Sequence, residues 1–285
     1  MTTLQILASL GIILFFTLRP FAYRPAAKAF TTKTSAAFTS IWMLIGIIVT
    51  LPFFGHMLFY EGGTYLNSQF IIYSLLKGWV LWVGIRLSQV INAESVSSSV
   101  FSGPIVIGLA VILNVMFFGE ILTAIQFISI FLIGLTSLLF FTFGHAKFLS
   151  TRAKKYFLIS ILLGIYCVIS DQIVISNTNW YVHTFFVTVS LSLISVFSKL
   201  SIEEWKDCFL QKSSIFAGFV FVTGEFYLMS VMVRVIPVSI AALSIRLSIP
   251  FIMILSSLFY NEQKWQTQAV FAVLLLLSTV PIILF

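Results

Sequence analysis

The stretch FIIYSLLKGWVLWVGIRL, residues 70–87, is apolar over enough length to cross a bilayer, yet Lys77 sits near its centre. A spanning helix needs about 20 mostly apolar residues. An ammonium at that depth costs roughly 2.5–3.5 kcal/mol on insertion scales, so it faces the bundle interior or water. The segment reads as a membrane span with an inward-facing lysine.

The rest of the chain has the same character. Of its 285 residues 60% are hydrophobic and only 9% charged, against roughly a quarter charged in an ordinary soluble domain. So few charges cannot cover the surface of a soluble protein, and we expect an integral membrane protein whose first partner is the lipid bilayer. The net charge of +7 is then a matter of loops and orientation, not of nucleic acid, for which no partner role is expected. The two cysteines, Cys167 in an apolar run and Cys208 in a charged loop, suggest no disulfide framework. The N-terminal run MTTLQILASLGIILFFTLRPF has neither a basic leader nor a small-residue cleavage site, and reads as a retained first span.

The length rule marks ten spans, near residues 3–18, 36–58, 69–90, 95–118, 121–143, 156–176, 180–198, 213–234, 236–260 and 266–285. The polar stretches are 19–35, 59–68, 144–155 and 199–212, none long enough for a soluble domain. Thirteen of the 16 Lys and Arg residues fall at the ends of odd-numbered spans or in the loops after them. By the positive-inside rule those loops are cytoplasmic and both termini lie outside.

Two segments repeat. FFGEILTAIQFISIFLIGL (117–135) parallels FYNEQKWQTQAVFAVLLLL (259–277), aligning Glu120 and Gln126 with Glu262 and Gln268. Upstream, SSVFSGP (98–104) parallels SIRLSIP (244–250), aligning Ser98, Ser102 and Pro104 with Ser244, Ser248 and Pro250. Five spans per half, residues 1–145 and 146–285, force the halves into opposite orientations. The expected fold is therefore an all-α integral membrane protein of ten transmembrane helices in two inverted five-helix repeats.

A proline-containing fourth span, a Gly-Glu turn, then Gln126 and Gly134 in the fifth resemble the EamA domain, with a second copy at LSIPFIMILSSLFYNEQKWQTQAV. That copy has Asn261 where the first has Gly119. Two such copies resemble the drug/metabolite transporter superfamily over the whole chain. The resemblance implies a carrier with a central cavity lined by spans 1, 3, 4, 6, 8 and 9, with spans 5 and 10 at the periphery. It also implies cytoplasmic termini, opposite to the charge count, and the cytoplasmic membrane of a bacterium as the location.

Four charged residues lie deep within spans: Lys77, Asp171, Glu225 and Arg246. Lys77 and Glu225 are partners under the repeat, and opposite signs at similar depth predict an ion pair between them. Glu225 is also the expected proton carrier, since burial and a neighbouring cation act on it in opposite senses. Tyr73 shares a helical face with Lys77 and is placed to orient it, and Trp82 offers a cation–π wall or simple packing. Arg246, four residues before Pro250, is a candidate for a carboxylate or phosphate of a substrate, or for a gate to Asp171 or Glu225. Ser98 faces the cavity or serves close helix packing. Glu94, Glu120 and Glu262 are expected to open the helices that follow them.

The histidines His56, His145 and His183 read as lying near span ends or in loops. No paired metal-ligand spacing, phosphate cradle or nucleophile elbow is present, so neither an enzyme, a metal site nor a cofactor is expected. A secondary carrier of a small polar metabolite, an amino-acid-like zwitterion or a small organic anion, fits best, with proton or counter-substrate coupling left open. The alternatives are an exporter of cationic compounds on the same fold and a membrane protein without transport activity.

Overall fold

The computed structural model describes residues 3–60, 63–64, 67–118, 123–144, 148–235, 238–262 and 264–284. Side chains at 60, 63, 64, 107, 114, 117, 118, 172, 176, 229, 230, 232–234, 238–243, 246 and 280–284 fall outside that description. Glu120 and His145, and the side chain of Arg246, are therefore outside the described set.

Among the described residues the chain is almost wholly helical. Its helices are α1 (Thr3–Ala29), α2 (Thr32–Phe54), α3 (Ser68–Glu94), α4 (Val96–Phe118), α5 (Ala124–Phe143) and α6 (Thr151–Asn177). They continue with α7 (Trp180–Phe197), α8 (Ile202–Leu210), α9 (Lys212–Arg234), α10 (Val238–Tyr260) and α11 (Trp265–Leu284). A 3₁₀ turn, Gly55–Leu58, and a two-residue antiparallel ladder, β1 (Phe59–Tyr60) with β2 (Gly63–Thr64), join α2 to α3. Seven helices, α1 to α7, are long and apolar enough to cross a bilayer, which makes this a multi-pass, all-α membrane protein. The described apolar parts of α10 and α11, Leu247–Tyr260 and Trp265–Thr279, are shorter.

Lipid offers no hydrogen bonds, so each helix must satisfy its own backbone and begin on a cap. Thr31, Asn67, Ser150 and Asn179 accept from backbone N–H groups in the first turns of α2, α3, α6 and α7. Thr123 with Gln126 and Ser201 with Glu204 form reciprocal capping boxes for α5 and α8.

Two elements depart from the expectation. The first helix runs on to Ala29 through Pro20 and Pro25, although residues 19–35 read as a loop. Each proline removes one intrahelical bond, but Arg19 and Arg24 are turned inward onto carboxylates and hold the segment in the bundle. The second is α8, a short surface helix inside the polar stretch 199–212, started by the Ser201–Glu204 capping box.

The helices pack in corresponding pairs. While α3 lies against α6 and α7, α9 lies against α1 and α2; α4 meets α6, and α10 meets α1. Three further pairs face each other: α2 with α7, α4 with α10, and α5 with α11. Among the described residues the largest apolar cluster joins α3, α4, α5, α6, α10 and α11 through Ile91, Phe101, Phe140, Phe157, Met253 and Phe271. Phe101 and Phe140 stack there at 3.9 Å between ring centroids. A close approach of α3 to α7 is made possible by Gly78 on α3, where a Cβ would stand 2.5 Å from Ser190 Cβ and 2.6 Å from the Val187 carbonyl oxygen of α7.

Candidate functional site

At the Gly78 approach, α7 is brought close enough for its first turns to reach the polar face of α3. Lys77 forms an ion pair with Asp171 of α6. His183 of α7 joins them, with Nε2 2.8 Å from Asp171 Oδ1 and 3.4 Å from Lys77 Nζ. The other imidazole nitrogen, Nδ1, is 2.7 Å from Ser74 Oγ. Ser74 Oγ in turn is 2.9 Å from the Phe70 carbonyl oxygen. Ser74 and Lys77 are three residues apart on α3, so one helical face presents both. His183 is 2% exposed, and the side chains of Lys77 and Asp171 are 14% and 38% exposed. The Tyr73 carbonyl, just behind, accepts from Tyr166 and Ser170 of α6, each at 3.3 Å.

One turn away lies a cavity of about 510 Å³, within the roughly 300–1,000 Å³ range of small-molecule sites. Six helices line it: α1 through Phe16, Arg19 and Tyr23, α3 through Leu81, Gly84, Ser88, Gln89 and Asn92, and α4 through Ser99, Ser102 and Val106. From the other half come Ser160, Gly164 and Cys167 of α6, Phe221 of α9, and Ile245, Ser248 and Ile252 of α10. These are the later parts of α1 and α3 and the earlier parts of α4 and α6, so the cavity is displaced toward the end of the bundle where α4 and α6 begin. Cys167 is in its wall and Asp171 is four residues, about 6 Å, further along α6. Leu81 is likewise in the wall and Lys77 four residues before it. The Lys77–Asp171–His183 cluster therefore stands beyond the inner end of the cavity.

Among the described residues Arg19 is the one formally charged side chain in the wall. It forms an ion pair with Glu225 of α9, and its guanidinium lies 3.9 Å from the Phe221 ring centroid. The pair is part-buried, with side chains 31% and 23% exposed, so Arg19 presents charge and N–H donors to the cavity.

A third polar centre lies where α4 begins. Glu262, in the link between α10 and α11, accepts from the backbone N–H groups of Val96 (2.6 Å) and Ser97 (3.0 Å) and from the Ser97 hydroxyl (2.8 Å). It also pairs with Arg24 of α1, whose guanidinium lies 4.0 Å from the Tyr260 ring centroid. Burial raises the Glu262 pKa, but the donors of Val96 and Ser97 and the Arg24 guanidinium outweigh it and hold the carboxyl below its ordinary value. This network joins α1, α4 and the α10–α11 link.

Several expectations are corrected by this geometry. Lys77 pairs with Asp171 and not with Glu225, whose partner is Arg19. Each of the two carboxylates is reached by a cation from a helix packed directly against its own, α3 on α6 and α1 on α9. Glu262 caps α4 and not the helix after it, and Glu94 accepts from Ser150 N (2.8 Å) and Oγ (2.6 Å) at the start of α6. Ser98 is fully buried in the α4 serine cluster, 2.9 Å from Ser95 Oγ, while Ser99 and Ser102 face the cavity. Trp82 lies under the Arg86 guanidinium, 4.5 Å from its ring centroid, so its cation partner is on its own helix. Tyr73 contributes its carbonyl to α6.

His183, Arg19 and the Ser74 hydroxyl are the site residues that the sequence reading passed over. His183 lay close to a span start and Arg19 beside a proline, both of which look like loop positions. Among the described residues no group of three His, Cys, Asp or Glu side chains could hold a metal ion. The chain matches no known family model, and no curated protein sequence matches it significantly.

Proposed function

We propose that this chain is a secondary carrier, built like the drug/metabolite transporters from two inverted five-helix repeats, that moves a small polar metabolite through its central cavity by alternating access. The observation that carries the reading is the cavity of about 510 Å³ bounded by six helices, with Arg19 and a set of hydroxyl and amide side chains in its wall. A concave interior of this size, mostly apolar with a few polar groups, has the form of a small-molecule site. The corresponding helix pairings support the inverted repeat: α3 on α6 and α7 mirrors α9 on α1 and α2. The ion pairs follow the same relation, Lys77–Asp171 between α3 and α6, Arg19–Glu225 between α9 and α1.

Arg19 favours a solute with an anionic group, a carboxylate above all, because a guanidinium meets a carboxylate through two parallel N–H donors. The amide N–H groups of Gln89 and Asn92 donate to backbone carbonyls, at 3.3 Å to Phe30 just after α1 and 3.0 Å to Pro20 within it, while their amide oxygens have no partner among the described residues. Ser88, Ser99, Ser102 and Ser248 remain as hydroxyl contacts in the wall. A zwitterionic amino acid or a small organic anion satisfies both features.

The test is a thermal-shift screen of the purified protein against amino acids, organic acids, nucleosides and quaternary amines, followed by counterflow in proteoliposomes with the compounds that stabilise it. A ligand at a hundredfold excess over Kd adds about 2.7 kcal/mol to the folded state. Stabilisation by carboxylates, lost in Arg19→Gln, and saturable counterflow are expected. Stabilisation by quaternary amines alone would instead make it an exporter of cations, and no counterflow of any class removes the carrier reading.

A further inference from the structure

The cluster beyond the cavity has a property that the carrier reading does not use. The hydroxyl of Ser74 carries one proton and faces two acceptors, the Phe70 carbonyl oxygen at 2.9 Å and His183 Nδ1 at 2.7 Å. When the Ser74 hydroxyl donates to Nδ1, the imidazole is neutral with its proton on Nε2, which donates to Asp171 Oδ1 at 2.8 Å. When Ser74 donates to the Phe70 carbonyl, Nδ1 becomes the donor to Ser74 Oγ, and Nε2 still donates to Asp171. The second arrangement holds one proton more than the first, with every heavy atom in the same place and no buried donor or acceptor left without a partner. A histidine packed for structure alone needs only one of the two.

We propose that the Lys77–Asp171–His183–Ser74 cluster is a proton-binding site that couples solute movement to proton movement, with His183 holding the exchangeable proton and Asp171 passing it in and out. This rests on the carrier reading. The proton balance is simple: one proton arrives from water at the Asp171 carboxylate, moves to the imidazole, and leaves by the same route after the bundle has changed its open side. Neutral His183 leaves the cluster with Lys77 and Asp171 in balance, and the protonated imidazole adds one positive charge one turn from the cavity wall. That charge is placed to depend on an anionic solute in the cavity, which gives the two loads a reason to travel together.

The groups facing His183 are few. Lys77 of α3 and Asp171 of α6 reach its Nε2, and Tyr73, Tyr166 and Cys167 are the neighbouring titratable residues on those two helices. The titratable residue of α2, Lys33, is in its first turn, at the far end, and α4 has none. Tyr181 lies two residues earlier on α7, packed on Trp180 and Phe54, and His56 is exposed in the 3₁₀ turn beside it. Arg19 and Tyr23 of α1 belong to the cavity side. His183 thus answers mainly to one cation and one carboxylate.

The test follows the imidazole directly. Full-length protein with His56→Gln and His145→Gln, labelled with ¹⁵N-histidine and held in nanodiscs, is titrated by NMR. Both ring nitrogens of His183 are expected to change between about pH 5 and 8. Asp171→Asn should move the midpoint by about one pH unit, a tenfold change in proton affinity, and Lys77→Arg should leave it near the wild type. If Asp171→Asn does not fold, Asp171→Glu takes its place, with a smaller displacement expected. A His183 that keeps one protonation state throughout, or a midpoint indifferent to Asp171, overturns the proposal. In pyranine-loaded proteoliposomes, a mixture of amino acids and succinate should change the internal pH with the wild type and not with His183→Gln. Uptake by the wild type without a pH change also overturns it. Counterflow of the same solutes at equal pH needs no proton gradient and reads the carrier separately. Its absence removes carrier and coupling together, whereas counterflow with a silent His183 removes the proton site alone.

Discussion

His183 Nε2 and Asp171 Oδ1 meet at 2.8 Å across the turn between α6 and α7, twelve residues apart in the chain. The same oxygen receives Lys77 from α3, so one carboxylate joins three helices within the bilayer. Removing it leaves an ammonium with no counter-charge. Asp171→Asn should destabilise the protein by about 1–3 kcal/mol, less than for a fully enclosed pair because Asp171 is 38% exposed. In thermal unfolding, Lys77→Met with Asp171→Asn should cost less than the two changes summed, by at least about 0.5 kcal/mol. Strict additivity would show that the two side chains do not interact in solution.

Glu262 should make stability sensitive to acid. Its folded pKa is depressed from the ordinary 4.5, with burial opposing the shift and the Val96, Ser97 and Arg24 donors producing it. A depressed carboxylate contributes fully above its unfolded pKa and loses that contribution as pH falls through the folded one. The melting temperature should therefore drop below about pH 4.5 in the wild type, and less so in Glu262→Gln, which starts lower at neutral pH by about 3–5 kcal/mol. Parallel pH profiles for the two proteins would exclude Glu262 as the source.

Gly78 and Gly84 provide a matched pair on α3. A Cβ at Gly78 meets the Val187 carbonyl at 2.6 Å, which is backbone and cannot move aside cheaply, while at Gly84 it meets nothing within 4 Å. Gly78→Ala should cost about 1–3 kcal/mol. Gly84→Ala should be neutral or stabilising by up to about 1 kcal/mol, through helix propensity. Melting temperatures in one detergent decide the comparison, and equal effects would mean that α3 and α7 are further apart than described.

Arg19 is the charge that a carboxylate in the cavity would meet. Arg19→Gln should weaken carboxylate binding by about 10- to 100-fold, the worth of a hydrogen bond to a charged group. Because the change also strips Glu225 of its partner, Arg19→Gln with Glu225→Gln should recover stability without recovering binding. Isothermal titration with the stabilising compound measures the affinity and differential scanning fluorimetry the stability. Equal affinity in all three proteins would place the solute elsewhere.

Membrane class and most helix positions could be read from apolar run length alone, because lipid allows few alternatives to a helix. The inward placement of Lys77 followed from the cost of its charge. Its partner did not, since a linear sequence ranks Asp171 and Glu225 alike and the choice depends on which helix stands nearer. Arg19 and Arg24 read as loop residues because they fall in the polar stretch 19–35, beyond the apolar run of the first span, whereas here carboxylates from α9 and the α10–α11 link keep the segment wound. His183 was hidden by its closeness to the α7 N-terminus; Gly78, which lets α7 approach, is the sequence feature that bears on it.

The two arginines of α1 also bear on biosynthesis. Arg19 meets its carboxylate 206 residues later and Arg24 238 residues later. At about 5–20 residues per second a ribosome takes roughly 10–50 s to supply them. Throughout that interval α1 carries two guanidinium groups without these counter-ions, so its last turns must wait at the lipid headgroups. They can settle inward only once α9 and the α10–α11 link have emerged, so a segment made early reaches its final depth after helices made later.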